Sequence, residues 1–401
     1  MPRFPEFVAM IAGMMALTAL SVDVMLPALP QIRADFALAG ENQQQLVVTA
    51  YLLGFALGQF FHGPLSDRFG RRVVLLGGIA VYAVAAFACL IAGSFEHLLA
   101  ARFVQGLANA APRIIAIAVV RDLYGGRRMA EVMSFVMMVF IIVPVIAPSI
   151  GLLFLFAGSW HLIFAFLTAC AGLLLVWVAI RLPETHPAET RVPMSLGWLA
   201  GALRQTVTTR QTLGYTLATG VFFGSLMGYI SSAQQVFVEV YGVGAWFPVL
   251  FGAVAAALAV AAFLNSRFVM RWGMRRIGHG AMFGFTAAAT LHLGVYLAWG
   301  TPALPVFLLL IAACLFCFGL IMPNFNALAM EPMGRIAGTA SSFVGAVTTG
   351  VAALLGWLIG QQFDGTPGPM LAGFALLGLA GPAVVAITER GRLFHPGTQT
   401  A

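Results

Sequence analysis

Three ionisable side chains interrupt stretches of sequence that are otherwise apolar: Asp23, Arg102 and Arg113. A charge at the centre of a bilayer costs about 2.5–3.5 kcal/mol even on the lenient insertion scale, so such residues face protein or water and find partners. At 1.5 Å per residue, Asp23 lies about 24 Å along a helix starting near Phe7, and Arg102 about 6 Å inside the outer end of its own helix. The two share a depth, and an ion pair between them is expected. A carboxyl in a low-dielectric site is favoured in its neutral form, and an adjacent cation favours the carboxylate. One group can then hold either a proton or a cationic ligand, depending on what stands beside it. This is the chemistry of an exchanger, with Asp23 as the coupling acid and Arg102 as its modulator.

The helix that carries Arg102 has further polar or small positions. At 100° per residue, Asn109 and Arg113 lie about 20° to either side of Arg102, and Gly106 about 40° away. Arg102, Gly106, Asn109 and Arg113 therefore form one stripe, which is expected to face the protein interior. Arg102 has an alternative, snorkelling to the outer headgroups. Arg113, about 16 Å deeper, has none and is expected to line a cavity with Asn109. A second polar and aromatic run holds Phe222, Phe223, Tyr229, Ser231, Ser232, Gln234 and Gln235. It reads either as the lining of a roomy, weakly selective pocket or as ordinary core aromatics with an interfacial belt. Cys89, Cys170, Cys314 and Cys317 all lie in apolar runs, so neither a disulfide framework nor a metal site is expected. The histidines His62, His161 and His292 are scattered, and no metal or other cofactor is expected.

The elements that hold these residues follow from composition. Of 401 residues, 61% are hydrophobic and only 9% charged, and the mean hydropathy is +0.95. A soluble globule carries roughly 25% charged residues, so lipid is the solvent for most of this chain. A spanning helix takes about 20 apolar residues. Twelve runs qualify: 7–29, 44–62, 73–93, 98–120, 132–157 and 161–182, then 211–235, 246–266, 278–299, 304–326, 339–362 and 369–388. The expected fold is an all-α integral membrane protein of twelve transmembrane helices. The net charge is +7 with no lysine. With the N-terminus inside, the inward segments collect nearly all the arginines and the outward loops hold only Arg33. The positive-inside rule thus puts both termini in the cytoplasm. The basic balance marks orientation rather than nucleic-acid binding. The Arg3-led run from Phe7 to Leu29 is too long for a signal-peptide core and is expected to be a retained first span.

The residues 183–210, with Pro183, Pro187 and Pro193, form the one long gap. It divides the chain into an N-terminal six-helix bundle (1–182) and a C-terminal one (211–401). The halves echo each other: Gly63-Pro-Leu-Ser-Asp-Arg-Phe-Gly-Arg-Arg72 follows span two, and Arg267-Phe-Val-Met-Arg-Trp-Gly-Met-Arg-Arg276 follows span eight. Duplicated, pseudo-symmetric halves are how many secondary transporters are built.

The decapeptide from Gly63 to Arg72 is similar to the signature of the major facilitator superfamily. Its glycines permit tight turns and close helix approach, and Asp67 and Arg71 are spaced to pair. The resemblance implies the major facilitator fold, with Gly63, Asp67, Arg68, Gly70 and Arg71 as a conformational latch on the cytoplasmic side. Three more segments resemble the twelve-helix drug:proton antiporters, and among them the bicyclomycin-resistance type. They are Asp23-Val-Met-Leu-Pro-Ala-Leu-Pro-Gln-Ile32, Arg102-Phe-Val-Gln-Gly106 with Val120-Arg-Asp-Leu-Tyr124, and Met330-Glu-Pro-Met-Gly-Arg-Ile-Ala-Gly-Thr-Ala-Ser341. The chain departs from the family where helix five usually carries a Gly-Pro pair. It reads Pro144-Val-Ile-Ala-Pro148-Ser-Ile-Gly151, which keeps kinks and a smooth packing face on one side. Arg113 has no counterpart in the family pattern, so its role is not carried over.

The resemblance implies a proton-coupled exporter of small amphipathic organic compounds or drugs in the bacterial inner membrane, partnered by substrate, protons and lipid, and monomeric. Without lysine there can be no phosphate-binding P-loop, so this chain alone does not pump with ATP. Two intramembrane arginines against one aspartate leave an alternative, a carrier of a small organic anion or metabolite. A non-transporting receptor predicts no substrate movement at all. No catalytic constellation recurs at helical spacing, so an enzyme is not expected.

Overall fold

The computed structural model describes residues 2–40, 42–187, 189 and 196–395. Among them the regular structure is helical throughout, and eleven segments are long and apolar enough to cross a membrane. The expected span 132–157 lies in a twelfth helix, Gly126–Ala157, whose stretch Ile142–Ala157 is also apolar. The chain is a multi-pass membrane protein. Of the expected linker, residues 188 and 190–195, Pro193 included, lie outside the described residues.

Packing divides the chain into two units, Met1–Ala200 and Gly201–Ala401. The first contains α1 (Phe4–Asp23), the short α2 (Leu29–Asp35), α3 (Leu46–Phe69), α4 (Arg71–Leu90), α5 (Phe95–Leu123), α6 (Gly126–Ala157) and α7 (His161–Arg181). A further helix, α8 (Leu196–Thr208), runs across the division. The second unit contains α9 (Arg210–Gln234), α10 (Phe247–Trp272), α11 (Met274–Trp299), α12 (Leu304–Met330), α13 (Ala337–Gln361) and α14 (Gly368–Glu389). Proline opens several of these helices at the first turn, where its missing amide costs nothing.

The two units repeat one packing scheme. In the first, α1 packs on α6, α3 and α4 on α5, and α4 on α7. In the second, α9 packs on α13, α10 and α11 on α12, and α11 on α14. Each pairing in one unit has its counterpart at the same place in the order of spans in the other.

With no water to drive helices together inside a bilayer, close approach of small residues does the work. Glycines fit α3 tightly to α5. A Cβ at Gly54 would stand 1.9 Å from the carbonyl oxygen of Phe103, and one at Gly106 the same distance from that of Tyr51. The packed side of α5 buries Arg102, Gln105, Gly106 and Asn109. Val84, Leu173, Ile180, Leu309 and Ile387 are exposed, as lipid-facing residues are.

Candidate transport site

Helix α1 ends at Asp23, and the chain turns through Val24 and Met25 into a short 3-10 turn. A helix that stops leaves the carbonyls of its last turn without the amides of a following one. Arg102 of α5 supplies a donor there: its Nη2 donates to Ser21 O at 2.9 Å. Its Nε donates to Val47 O on α3 at 3.1 Å, and its Nη1 to Gln105 Oε1 at 2.7 Å. The guanidinium also lies over the ring of Tyr51, 4.6 Å from its centre, and 5.8 Å from that of Phe164. Arg102 is fully buried. It does not snorkel, because every one of these partners lies inside the unit.

The expected ion pair between Asp23 and Arg102 is not formed. Asp23 is 5% exposed and has no hydrogen bond or ion pair among the described residues. The physical reason is that backbone carbonyls of α1 and α3, together with Gln105, occupy the guanidinium. Asp23 is thus a buried carboxyl at the carbonyl end of a helix, where the dipole opposes a negative charge.

Around Ser21 the polar groups interlock. The Ser21 hydroxyl donates to Leu17 O at 2.6 Å and lies 2.6 Å from the hydroxyl of Tyr82 on α4. Asn109 Nδ2 donates to Tyr51 Oη at 2.6 Å and reaches Ser21 Oγ at 3.4 Å. Arg102 and Asn109 therefore meet at one residue of α1, while Arg113, half-buried, stands one turn farther along α5. Ser21, Tyr51, Tyr82 and Gln105 were not anticipated from the sequence. The available signal was their polarity within apolar spans, Gln105 being one helical turn from Arg102.

The helix-five motif abuts the same break. A Cβ at Gly151 would stand 2.1 Å from Val24 O, so α6 presses directly on the residue after Asp23. Pro148 is buried and Pro144 half-buried.

In the second unit the aromatic candidates lie apart. Phe222 is enclosed in the unit's own core, edge-on to Phe285 at 5.1 Å and Phe325 at 6.2 Å. Tyr229 is enclosed between Phe251, stacked at 5.4 Å, and Phe237 at 6.4 Å. Both are core side chains here, because rings of α10, α11 and α12 and of the adjoining turn fill the space around them. Phe223 alone is half-buried, stacked on Phe318 at 6.1 Å.

Of the decapeptide, Asp67, Gly70 and Arg71 come together where α3 meets α4. Gly70 has φ 97°, a left-handed turn that lets α3 reverse into α4. Arg71 pairs with Asp67, donates to Asp122 Oδ2 at 3.0 Å and to Ser66 Oγ at 2.7 Å. Glu184 accepts from the backbone amides of Arg71 at 2.9 Å and Arg72 at 3.3 Å, capping α4 from 113 residues away. Gly63 is buried inside α3, whereas Arg68 is exposed and lies over Phe69. The second unit repeats the plan around Gly273, φ 79°. There Arg275 meets Glu389 at 3.0 Å and Glu331 at 3.5 Å. Asp122 lies in the last turn of α5 and Glu331 directly follows α12, while Glu184 lies just beyond α7 and Glu389 ends α14.

The chain is similar to known proteins along most of its length. A relative from Bacillus subtilis, "Uncharacterized MFS-type transporter YdgK", is 31% identical over 88% of both chains. The "Bicyclomycin resistance protein homolog" of Haemophilus influenzae is 31% identical over 91% of both. The crystal structure of "the human organic anion transporter MFSD10 (TETRAN)" superposes with a TM-score of 0.71 at 16% identity, covering 97% of this chain and 99% of that one, which shows the fold. The Major Facilitator Superfamily matches residues 11–357, and the chain belongs to that family of membrane transporters.

Proposed function

We propose that this chain is a proton-driven exporter of small amphipathic organic compounds, working by alternating access in the bacterial inner membrane with both termini in the cytoplasm. The observation that carries the reading is Asp23: a buried carboxyl with no protein partner among the described residues, at the end of a helix anchored by Arg102. A carboxyl so placed exchanges a proton for a cationic or polar group of a substrate without first breaking an ion pair. The relative named for bicyclomycin resistance supports drug export as the direction of transport. Glu184, Asp67 and Asp122 around Arg71 serve as the latch that opens and closes once per cycle. In the second unit we assign substrate contact to Phe223 among the aromatic candidates, and in the first unit to Arg113.

The test is efflux from proteoliposomes under an imposed pH gradient, using the wild type and Asp23→Asn. The wild type moves substrate and releases protons on binding it. The variant binds but does not respond to the gradient; gradient-driven efflux by Asp23→Asn would overturn the assignment. A second reading, a carrier of small organic anions, is favoured by the two arginines against one aspartate in the first unit's spans. Competition decides it: cationic dyes inhibit the drug exporter and leave an anion carrier untouched.

A further inference from the structure

His279, on the second turn of α11, is completely buried and bonded at both ring nitrogens. Its Nδ1 lies 3.1 Å from the backbone nitrogen of Phe394, beyond the end of α14. A backbone N–H can only donate, so this nitrogen accepts and carries no proton. The ring proton of the neutral imidazole is then on Nε2, which donates to the hydroxyl of Tyr215 at 2.9 Å. Tyr215 in turn donates to Glu389 Oε1 at 2.6 Å, and Glu389 also accepts from Arg275 Nε at 3.0 Å. Every donor in the chain has one acceptor, and only the singly protonated imidazole satisfies it.

The segment held by this bond is shaped for docking. After α14 the chain reverses through left-handed backbone at Arg390, φ 53°, and Gly391, φ 75°. Phe394 itself has φ 66°, a conformation a non-glycine residue keeps only when its surroundings hold it there. Its ring packs edge-on against His279 at 5.5 Å and stacks on Phe283 at 6.0 Å.

We infer that the C-terminal turn, residues 390–395, is a strap whose docking on the second unit is released when His279 takes up a second proton. The imidazolium has a hydrogen on each nitrogen and cannot accept from the Phe394 amide. Two donors then face each other, and the left-handed backbone at Phe394 loses its support. The groups facing His279 are Tyr215 from α9, Glu389 from α14 and Arg275 from its own helix. From α12 comes the ring of Phe325 at 6.1 Å, with Glu331 beyond Arg275. His395 adjoins the strap as a second titratable group. Docking holds on the alkaline side and is lost as the pH falls. That the strap faces the cytoplasm rests on the orientation proposed above. In an antiporter that brings protons inward, release then answers internal proton load.

The experiment uses the full chain in lipid nanodiscs with His395→Gln, which removes the neighbouring titration. Hydrogen exchange at the Phe394 amide, corrected for intrinsic rate, is compared at pH 7.5 and 5.5, and nitrogen NMR of His279 reads its protonation. The expected result is an unprotonated Nδ1 at pH 7.5 and exchange about tenfold faster at pH 5.5. Glu389→Gln keeps the release, because the switch is the imidazole. His279→Asn, which retains an acceptor near Nδ1 but does not titrate, is protected at both values. The inference is overturned by a proton on Nδ1 at pH 7.5, by unchanged protection at pH 5.5, or by acceleration at pH 5.5 that persists in His279→Asn. Release abolished in Glu389→Gln overturns it too. Should the variant with Asn at 279 not fold, the wild-type exchange and NMR results decide alone. None of these measurements needs transport or sidedness, so a failed function or orientation leaves a distinguishable result.

Discussion

Arg102 Nη2 donates to the carbonyl oxygen of Ser21 at 2.9 Å, two residues before the chain reaches Asp23. The buried cation of α5 therefore closes the end of α1 instead of neutralising its acid. Asp23 is left at a helix terminus without a charge partner among the described residues, and the residue that positions this terminus is itself locked by Val47 O and Gln105 Oε1.

Substitution at Arg102 separates charge from shape. Lysine keeps the charge but presents one point donor in place of a planar fork, so it cannot reach Ser21, Val47 and Gln105 together. Each buried acceptor left unsatisfied costs about 1–3 kcal/mol. Arg102→Lys is expected to lower the thermal midpoint in detergent and abolish gradient-driven efflux. Arg102→Met, which abandons all three acceptors, is expected to lose more stability. Equal midpoints for Lys and Met would show that the charge, rather than the three directed bonds, holds α1 in place.

Adjacent glycines in α4 provide an internal control for helix approach. A Cβ at Gly78 would stand 2.3 Å from Ala111 Cβ on α5, while nothing lies within 4 Å of one at Gly77. Gly78→Ala forces the helices apart, a change of the kind that costs about 1–3 kcal/mol. Gly77→Ala is neutral or stabilising by up to about 1 kcal/mol, since alanine is the better helix former. Thermal unfolding of the two variants side by side checks the packing of α4 on α5.

The spans and their duplication were legible because lipid imposes a simple rule on composition, and the stripe on α5 because helical periodicity fixes which positions share a face. Arg102 and Asn109 both reach Ser21 of α1, a contact that periodicity alone does not give. What the sequence could not show of Asp23 was its lack of a hydrogen-bond or ion-pair partner among the described residues. Depth is a property of position along one helix, whereas pairing depends on where α1 breaks and which carbonyls that break exposes. Phe222 and Tyr229 illustrate the same limit. Their residue type suits a pocket or a core equally, and only the rings that α10, α11 and α12 bring around them decide for the core.

Glu184 is a long-range cap on α4. It accepts from the first two amides of α4 at 2.9 and 3.3 Å, satisfying donors that the helix cannot satisfy itself and placing a negative charge at its positive end. Glu184→Ala is expected to cost about 0.5–2 kcal/mol, the range of a lost cap. Glu184→Gln, which keeps an acceptor without charge, is expected to cost less. Hydrogen exchange at the amides of Arg71 and Arg72 should accelerate in the same order. Unchanged protection there in Glu184→Ala would remove the cap.

Arg275 and Glu389 test whether the second unit's cluster is a cooperative network. Glu389 accepts from Arg275 Nε at 3.0 Å and from Tyr215 Oη at 2.6 Å, so one carboxylate ties α11 and α9 to the end of α14. Both side chains are mostly buried, 12% and 17% exposed, so solvent screens them less than a surface pair. Arg275→Ala leaves Glu389 with the Tyr215 hydroxyl, and Glu389→Ala strands that hydroxyl and leaves Arg275 to Glu331 at 3.5 Å. A double-mutant cycle on thermal stability is therefore expected to return a coupling of about 0.5–3 kcal/mol, largely preserved when salt is raised. The pair Arg128–Glu131, at 64% and 46% exposure, is expected to show a smaller coupling that fades with salt. If the Arg275–Glu389 coupling vanishes with salt in the same way, the cluster is a solvated charge pair and does not bind the helix ends together.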